Sequence, residues 1–315
     1  MRGSALTLAR SLAGLEGWQP DLILATDMVD LAQFRTFARP FVGEVPTALY
    51  FHESQLTYPA SNGSEPDLSY SLTNWLSAYS ADHVFFNSVY HLDVFFDSLP
   101  RLLRNFPDLT HEHLIEEVAA RSEVLPVGVD LSWIGQRPAP EGPPRILWNH
   151  RWDHDKDPDS FADAVGRLIE AKLEFELVLL GPRPPHAPPA LTRIREIAGS
   201  RIVHDAKAPL DLYRQLLSSC DVVVSTALQE FFGVSVVEAI AAGSRPVLPY
   251  RLSYPWLIPD EYHDDVLYRD GGLVEALTTA LADPTAPPGL PSAMGHYSWD
   301  RLAPTYDRRL DSLAT

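Results

Sequence analysis

Hydrophobic and polar residues follow two regular patterns along the whole chain. Short continuous apolar runs, such as residues 21–26 (DLILAT) and 221–225 (DVVVS), have the length and composition of buried strands. Between these runs, apolar residues recur every three or four positions, as Leu8, Leu12 and Leu15 do, which predicts helices. Because strands and helices alternate in both halves, we predict an α/β fold with two Rossmann-like, parallel-sheet domains that face a cleft.

The two patterns can be placed along the chain. Apolar runs predict strands at 21–26, 46–51, 83–87, 123–129, 145–149, 175–180, 201–204, 221–225, 245–248 and 265–268. Helical spacing predicts helices at 4–15, 31–37, 68–80, 88–97, 110–119, 159–171, 190–198, 210–219, 234–242, 273–281 and 297–313. Helical segments separate most consecutive strands, as parallel pairing requires.

A proline-rich stretch marks the predicted domain boundary. Residues 136–144 read QRPAPEGPP, a composition typical of a connector. We therefore predict a first domain over residues 1–139 and a second over residues 140–297. The chain begins within a helix and contains no G-x-G-x-x-G turn, so we expect the N-terminal strand or strands of the first domain to lie upstream of Met1. A first domain that is simply smaller is the alternative.

Composition and charge narrow the classes of function. The chain has 315 residues, 45% of them hydrophobic, and a single cysteine, Cys220, which excludes a disulfide framework and a cysteine metal cluster. No apolar run has the length of a membrane span, and the N-terminus is too amphipathic for a signal peptide, so we expect a cytoplasmic protein. The net charge of −17 opposes non-specific binding of nucleic acids, although a local basic patch remains open.

The segment with the most chemistry is residues 226–249, TALQEFFGVSVVEAIAAGSRPVLP. It follows an apolar strand and carries two carboxylates, Glu230 and Glu238, around the junction of a loop with a helix. Ligands of open α/β sheets bind at the carboxyl ends of the strands, and the free N–H groups of a helix N-terminus favour an anion such as a diphosphate. Two solvated glutamates beside an ordinary helix start are the alternative.

This segment resembles the E-x7-E signature of the retaining GT-B glycosyltransferases of family 4. The resemblance implies that Glu230 binds sugar hydroxyls of a nucleotide-sugar donor and that Glu238 binds the ribose of its nucleotide. A carboxylate suits both tasks, because it accepts hydrogen bonds from two hydroxyls at once. The resemblance also implies that the main-chain N–H groups of Gly233 and Val234 lie near the diphosphate, and it includes Phe232 among the donor-binding residues.

A second polar segment, residues 148–158 (WNHRWDHDKDP), follows the first strand of the second domain. Its Arg151 and Lys156 resemble the arginine–lysine pair that family 4 enzymes place on the diphosphate of the donor. Cations aimed at a departing nucleoside diphosphate stabilise the transition state more than the ground state. Salt bridges to the aspartates of the same segment are an alternative. A metal site at His150 and His154 is a weaker one, and we expect neither a metal nor another cofactor.

A third segment, HESQLTYP at residues 52–59, narrows the resemblance to a single family. Together with residues 25–35 (ATDMVDLAQFR) and the second segment, it resembles the tRNA-queuosine mannosyltransferase family, whose corresponding segment reads H-E-N-Q-L-x-Y-P. The resemblance covers nearly the whole chain. It departs from that segment at Ser54, where asparagine is expected.

The family resemblance also assigns roles on the acceptor side. It implies that His52 contacts the sugar and lines the reaction centre, although a lone histidine after a strand is more often structural. Glu53, Gln55 and Asn87 are acceptor-side candidates. By the same resemblance, the terminal helix at residues 298–315 packs back on the first domain.

The reaction that the family implies is the transfer of mannose from GDP-mannose to queuosine in a tRNA anticodon, with retention of configuration. Its catalytic residues are then His52, Arg151, Lys156 and Glu230. A family 4 glycosyltransferase with a small-molecule, lipid or protein acceptor is the first alternative, and a non-catalytic protein that binds a nucleotide-sugar or tRNA is the second. Scattered arginines of the first domain are candidates for a tRNA-binding face: Arg2, Arg10, Arg35, Arg39, Arg101 and Arg104.

Overall fold

The computed structural model describes residues 3–15, 17–58, 68–106, 109–137, 142–183 and 188–314. The chain forms two compact units: Met1–Pro126 with Ala303–Thr315, and Val127–Leu302. Two predicted functional positions, Arg2 and Pro59, lie outside the described residues, as does the middle of the predicted connector, 138–141.

The first unit is built on a four-stranded parallel sheet with the order β1-β2-β3-β4. Its strands are β1 (Ile23–Thr26), β2 (Thr47–Phe51), β3 (His83–Phe86) and β4 (Ser122–Val124). Its helices, apart from the end of the terminal helix, are α1 (Ser4–Ser11), α2 (Leu31–Val42), α3 (Leu68–Ser80), α4 (Val89–Leu103) and α5 (Ile115–Ala119). Asp30 and Ser88 begin α2 and α4 by accepting hydrogen bonds from main-chain N–H groups three residues later.

Both faces of the first sheet are covered, which is why β2 is buried at every position. One face packs against the helices α3 and α4 around Phe51, Phe86 and Phe95. The other face is covered by the end of the terminal helix α14 (Trp299–Leu313), whose apolar residues contact the sheet at Ala48, Tyr50, Phe85 and Leu125. The hydroxyl oxygen of Tyr306 lies 3.0 Å from the Tyr50 hydroxyl and 2.9 Å from the carbonyl oxygen of Pro126.

The second unit is built on a six-stranded parallel sheet with the order β10-β9-β8-β5-β6-β7. Its strands are β5 (Arg145–Trp148), β6 (Glu176–Leu179), β7 (Ile202–Asp205), β8 (Val222–Val224), β9 (Arg245–Pro249) and β10 (Leu267–Tyr268). Its helices, besides the start of α14, are α6 (Pro158–Glu170), α7 (Pro189–Ala198), α8 (Leu210–Ser219), α9 (Val234–Ala241), α10 (Tyr254–Leu257), α11 (His263–Val266), α12 (Leu273–Ala282) and α13 (Leu290–Ala293).

The core of the second unit lies on both faces of its sheet. Val222, Val223 and Val224 of β8 are fully buried and contribute to both hydrophobic clusters, because successive side chains of a strand point to opposite faces. The chain order reverses between β5 and β8, so the loops after these two central strands leave the sheet side by side. In an open α/β sheet such a position holds the ligand site.

The compact units divide after Pro126, upstream of the predicted boundary at residue 139. The segment between belongs to the second unit because its main chain and side chains bond there. The N–H of Val129 donates to the carbonyl of Tyr297 (2.8 Å), and the guanidinium of Arg137 donates to Asp221 (2.8 Å). A proline-rich composition therefore does not mark the place where the compact units part.

Other differences concern short elements. The predicted strand at 265–268 is shorter, because Asp265 and Val266 belong to α11. The helices α10, α11 and α13 were not predicted, since each has only four residues and shows no helical period in the sequence. The helix α4 runs on to Leu103 although Pro100 lies inside it.

Candidate active site

Lys156 lies at the centre of a polar cluster at the carboxyl ends of β5 and β8. It ends a short 3₁₀ turn, His154–Lys156, and is 8% exposed. Its ammonium donates to the main-chain carbonyl of Gln229 (2.5 Å) and lies 3.3 Å from a carboxylate oxygen of Glu230. Two segments more than 70 residues apart in the sequence are thus joined by the predicted diphosphate-binding lysine and the predicted sugar-binding carboxylate.

Arg151 joins the same cluster through Asp155. A carboxylate oxygen of Asp155 lies 3.2 Å from the guanidinium of Arg151 and 3.3 Å from the ammonium of Lys156. Arg151 is also 3.6 Å from the carboxylate of Asp153. The salt bridges that we raised as an alternative are therefore present. They hold both cations in one cluster with Glu230, so the structural and the functional interpretations of these residues are compatible.

The helix α9 begins next to this cluster. Gly233 precedes it with φ of 104°, a left-handed conformation that favours glycine, and a Cβ at this position would lie 3.8 Å from the side chain of Glu230. Val234, the first helical residue, is exposed, and the N–H groups of the first turn of a helix have no acceptor within the helix itself. The side chain of Phe232 is instead buried against Trp256 and Tyr297, so any contact of this residue with a donor would come from its main chain.

Glu238 lies one turn into α9 and is fixed by a tyrosine. Its carboxylate accepts a hydrogen bond from the hydroxyl of Tyr213 (2.6 Å), which itself accepts one from the side-chain amide of Asn149 (2.9 Å). Burial raises the pKa of Glu238 above its ordinary value, although the Tyr213 hydrogen bond opposes this effect. The hydrogen bonds from Asn149 to Tyr213 and from Tyr213 to Glu238 link the loop after β5 to α9. They hold Glu238, the residue predicted to bind the ribose, in place.

His150 is buried near Lys156. Burial, together with the nearby charge of Lys156, lowers the pKa of His150 to about 3, so the imidazole is neutral at physiological pH. Its edge packs against the ring of Trp148. Within the described parts of the chain, no three His, Cys, Asp or Glu side chains are grouped as metal ligands.

The first unit carries a separate polar cluster around His52, at the carboxyl end of β2. The buried carboxylate of Asp27 accepts a hydrogen bond from the His52 main-chain N–H (2.8 Å) and lies 3.5 Å from the ring nitrogen Nδ1. The ring of Tyr50 packs against the imidazole with centroids 4.6 Å apart. Because the His52 side chain is 52% exposed, it is held on one side and accessible on the other.

Asn87, which we predicted to lie on the acceptor side, is buried and contacts the main chain of His52. Its amide donates to the His52 carbonyl (2.8 Å), and its oxygen is 2.8 Å from the ring nitrogen Nδ1 of His91. Burial lowers the pKa of His91 to about 3. Asn87 thus orders the His52 loop, and a direct contact with an acceptor stays a prediction.

The residues that follow His52 in the HESQ segment differ in how deeply they are buried. Ser54 is 1% exposed, and its hydroxyl accepts a hydrogen bond from the N–H of Leu56 (3.2 Å), so this position closes a turn. The N–H of Gln55 donates to the side chain of Asn74 (3.2 Å). Glu53 and Gln55 are partly exposed, and their predicted roles are untested by these contacts.

Sequence reasoning missed three residues that hold the predicted ones: Asp27, Asp155 and Tyr213. Asp27 stands directly after an apolar strand, which is a signal of a site residue that we did not use. Asp155 stands beside Lys156 but is one of several aspartates, so composition alone could not single it out. Tyr213 lies in an ordinary amphipathic helix, and nothing in the sequence distinguishes it.

Two family models match the chain. The N-terminal model of the tRNA-queuosine alpha-mannosyltransferases matches residues 1–129, and a model of family 4 glycosyltransferases in conflict systems matches residues 100–250. A tRNA-queuosine alpha-mannosyltransferase of Drosophila melanogaster is 30% identical over 250 residues, which are 76% of this chain. The match spans 66% of the length of that relative.

Solved structures are similar over almost the whole chain. Sucrose-phosphate synthase from Thermosynechococcus elongatus has a TM-score of 0.75 at 16% identity, with 99% of this chain and 79% of that chain covered. Anabaena HepE, solved in complex with UDP and glucose, has a TM-score of 0.72 at 17% identity, with 99% and 84% covered. These likenesses confirm the predicted GT-B fold.

The described residues include no helix that is long and apolar enough to cross a membrane. The HESQ segment lies within the residues that the first family model matches, and the Arg151–Lys156 pair and the E-x7-E segment lie within those that the second matches. The chain belongs to the tRNA-queuosine alpha-mannosyltransferase family.

Proposed function

We propose that this protein is a glycosyltransferase that moves mannose from GDP-mannose to queuosine in a tRNA anticodon, with retention of configuration and without a metal. The observation that carries the proposal is the 3.3 Å contact between Lys156 and Glu230, in the loop that leads into α9, in a chain of this family. A cation, a carboxylate and a helix N-terminus together match the needs of a donor with a diphosphate and a polyhydroxyl sugar.

In the proposed reaction, the bond between the sugar C1 and the diphosphate oxygen breaks while a bond from C1 to the acceptor oxygen forms on the same face. The proton of the acceptor hydroxyl moves to the departing phosphate oxygen. Arg151 and Lys156 offset the negative charge that grows on the diphosphate, and this charge is larger in the transition state than in the bound donor. No protein nucleophile is needed.

The carboxylates would orient the donor. Glu230 binds sugar hydroxyls while it remains the counter-ion of Lys156, and Glu238 binds the ribose from a position fixed by Tyr213. His52 offers a substrate hydroxyl an imidazole that Asp27 holds in place. Holding the reactants in this way lowers the barrier by orientation, without further chemistry from the protein.

Lysine variants test the proposal directly, since the chain contains three lysines and one of them is an exposed control. Lys156→Ala should lower turnover at least 100-fold, because the leaving charge loses its ammonium. Lys207→Ala should leave turnover unchanged, because Lys207 is exposed. The assay follows the mass increase of queuosine-containing tRNA incubated with GDP-mannose, and a tRNA that carries guanine in place of queuosine is the substrate control. Equal turnover of Lys156→Ala and wild type would remove this lysine from the mechanism.

The donor and the stereochemistry need their own measurements. Calorimetry with GDP, UDP and ADP in parallel should give the tightest binding with GDP, and preference for UDP or ADP would refute the assignment of the donor. Nuclear magnetic resonance of the released mannosyl nucleoside should show the α-anomer that the donor carries.

A family 4 transferase with an acceptor other than RNA is the second candidate, and one observation favours it. The net charge is −17, and arginines that we considered for tRNA binding are paired with carboxylates: Arg35 with Asp82, Arg39 with Glu44, and Arg104 with Glu112. A protein that binds tRNA through its phosphates needs available cationic side chains, and its affinity for the RNA falls strongly as the salt concentration rises. Transfer to a free queuosine nucleoside as fast as to tRNA would support this candidate and refute the need for the RNA.

A further inference from the structure

Asp155 has contacts that a surface salt bridge would not require. Its side chain is 1% exposed, and one carboxylate oxygen lies within 3.3 Å of both Lys156 and Arg151. The other oxygen, Oδ1, is buried and has no hydrogen-bond partner among the residues that the structure describes. A buried charged oxygen without a partner is costly, so stability alone does not explain this carboxylate.

The main chain of Asp155 also binds the loop that supplies the other ligands of Lys156. Its carbonyl accepts hydrogen bonds from the N–H groups of Leu228 (2.8 Å) and Gln229 (3.2 Å). The carbonyl of Gln229 and the carboxylate of Glu230 in turn bind the ammonium of Lys156. Asp155 therefore fixes the cation directly and also fixes the loop that supplies the other ligands of that cation.

Both cations of this cluster have carboxylate partners before any donor is bound. Asp155 contacts Arg151 and Lys156, Glu230 contacts Lys156, and Asp153 lies 3.6 Å from Arg151. The negative charge of Asp155 opposes the binding of a diphosphate, since it lies beside both of the cations that would bind one. A residue that weakens ground-state binding while it holds the cations in place increases the difference between transition-state and ground-state binding.

We infer that Asp155 is a positioning residue that keeps the guanidinium of Arg151 and the ammonium of Lys156 aimed at the leaving diphosphate, and that it limits how tightly the diphosphate binds at rest. This inference rests on the proposed function, in which those two cations act on a nucleoside diphosphate. It predicts that turnover and affinity respond to the loss of the Asp155 charge in different ways.

The test is Asp155→Asn, which keeps the shape of the side chain and removes its charge. The kcat for transfer from GDP-mannose should fall about 10- to 100-fold, because the cations lose their common anchor. The affinity for GDP, measured by calorimetry, should stay within about twofold or become as much as tenfold tighter, because the site loses a negative charge. Asp155→Glu, which restores the charge at a shifted position, should recover part of kcat and return the affinity toward wild type.

Asp163→Asn is the matched control. Asp163 pairs with Arg193 at 3.1 Å, outside this cluster, and its side chain is about two thirds exposed, so both constants should change less than about twofold. If Asp155→Asn lowers kcat and GDP affinity by the same factor, or leaves kcat unchanged, the inference is refuted while the proposed function stands. A wild-type protein that neither transfers mannose nor binds any nucleoside diphosphate would refute the proposed function and the inference together.

Discussion

Acid should destabilise both units of this protein, because each buries a neutral histidine, His91 in the first and His150 in the second. The pKa of His91 in the first unit and that of His150 in the second are both lowered to about 3, against 6.5 for an exposed histidine, mainly by burial. At a pH between these values the unfolded chain binds protons that the folded chain does not. The stability from each histidine is therefore fully present above pH 6.5, decreases as the pH falls, and is gone below about pH 3.

The size of the effect follows from these two pKa values. Each pH unit below 6.5 costs about 1.4 kcal/mol per histidine, so at pH 5 each contributes a loss of about 2 kcal/mol and the two together about 4 kcal/mol. The urea dependence of unfolding at pH 7.5 and pH 5.0 measures this loss. His150→Gln and His91→Gln should each reduce the difference between the two pH values by about 2 kcal/mol, whatever they do to stability at pH 7.5.

His113→Gln is the control for this experiment. Because His113 is exposed, this substitution should leave the difference in stability between pH 7.5 and pH 5.0 unchanged. The unfolding of the two units must be followed separately if it does not occur in one step. A His150→Gln variant that loses as much stability between pH 7.5 and pH 5.0 as the wild type would show that His150 is protonated in the folded protein, and the reasoning from burial would be wrong.

Three further substitutions test the geometry of the second unit. Gly233→Ala should destabilise the protein by about 1 to 2 kcal/mol in urea unfolding, because its φ of 104° disfavours a side chain; an unchanged midpoint would show that the turn relaxes without strain. Tyr213→Phe should raise the KM for the donor about tenfold with little change in kcat, since it removes the hydroxyl that holds Glu238, the proposed ribose ligand; a loss confined to kcat would contradict this role. Gly128→Ala should cost at least about 2 kcal/mol, because a Cβ would lie 2.2 Å from the indole of Trp299, whereas Gly135→Ala, with open space around it, should be nearly neutral in the same assay.

Much of the fold could be predicted from the sequence because of how parallel sheets are buried. A strand such as Val222–Val224, covered on both faces, must be continuously apolar, and this makes it visible without any structural information. The loop that follows could be assigned to a site for the same reason, since its polar residues begin where the apolar run ends. The short helices α10, α11 and α13 had no such signal.

The residues that position the site could not be predicted in the same way. Glu230 and Lys156 were identified from local motifs, but their contact joins positions that are 74 residues apart. Tyr213 in α8 donates a hydrogen bond to Glu238 in α9. The order of the strands brings these two helices together, and no residue near Tyr213 in the sequence indicates it. Sequence motifs therefore identified the residues predicted to act on substrates, and tertiary geometry was needed to find those that hold them.

The first unit is assembled from two distant parts of the chain, and this affects how it can be made. The apolar surface formed by Ala48, Tyr50, Phe85 and Leu125 receives its cover from the segment Ala303–Thr315. That segment leaves the ribosome after the second unit, so this surface stays uncovered while the entire second unit is synthesised. A truncation just before Ala303 would keep every residue of the polar clusters and yet leave this apolar surface exposed to aggregation.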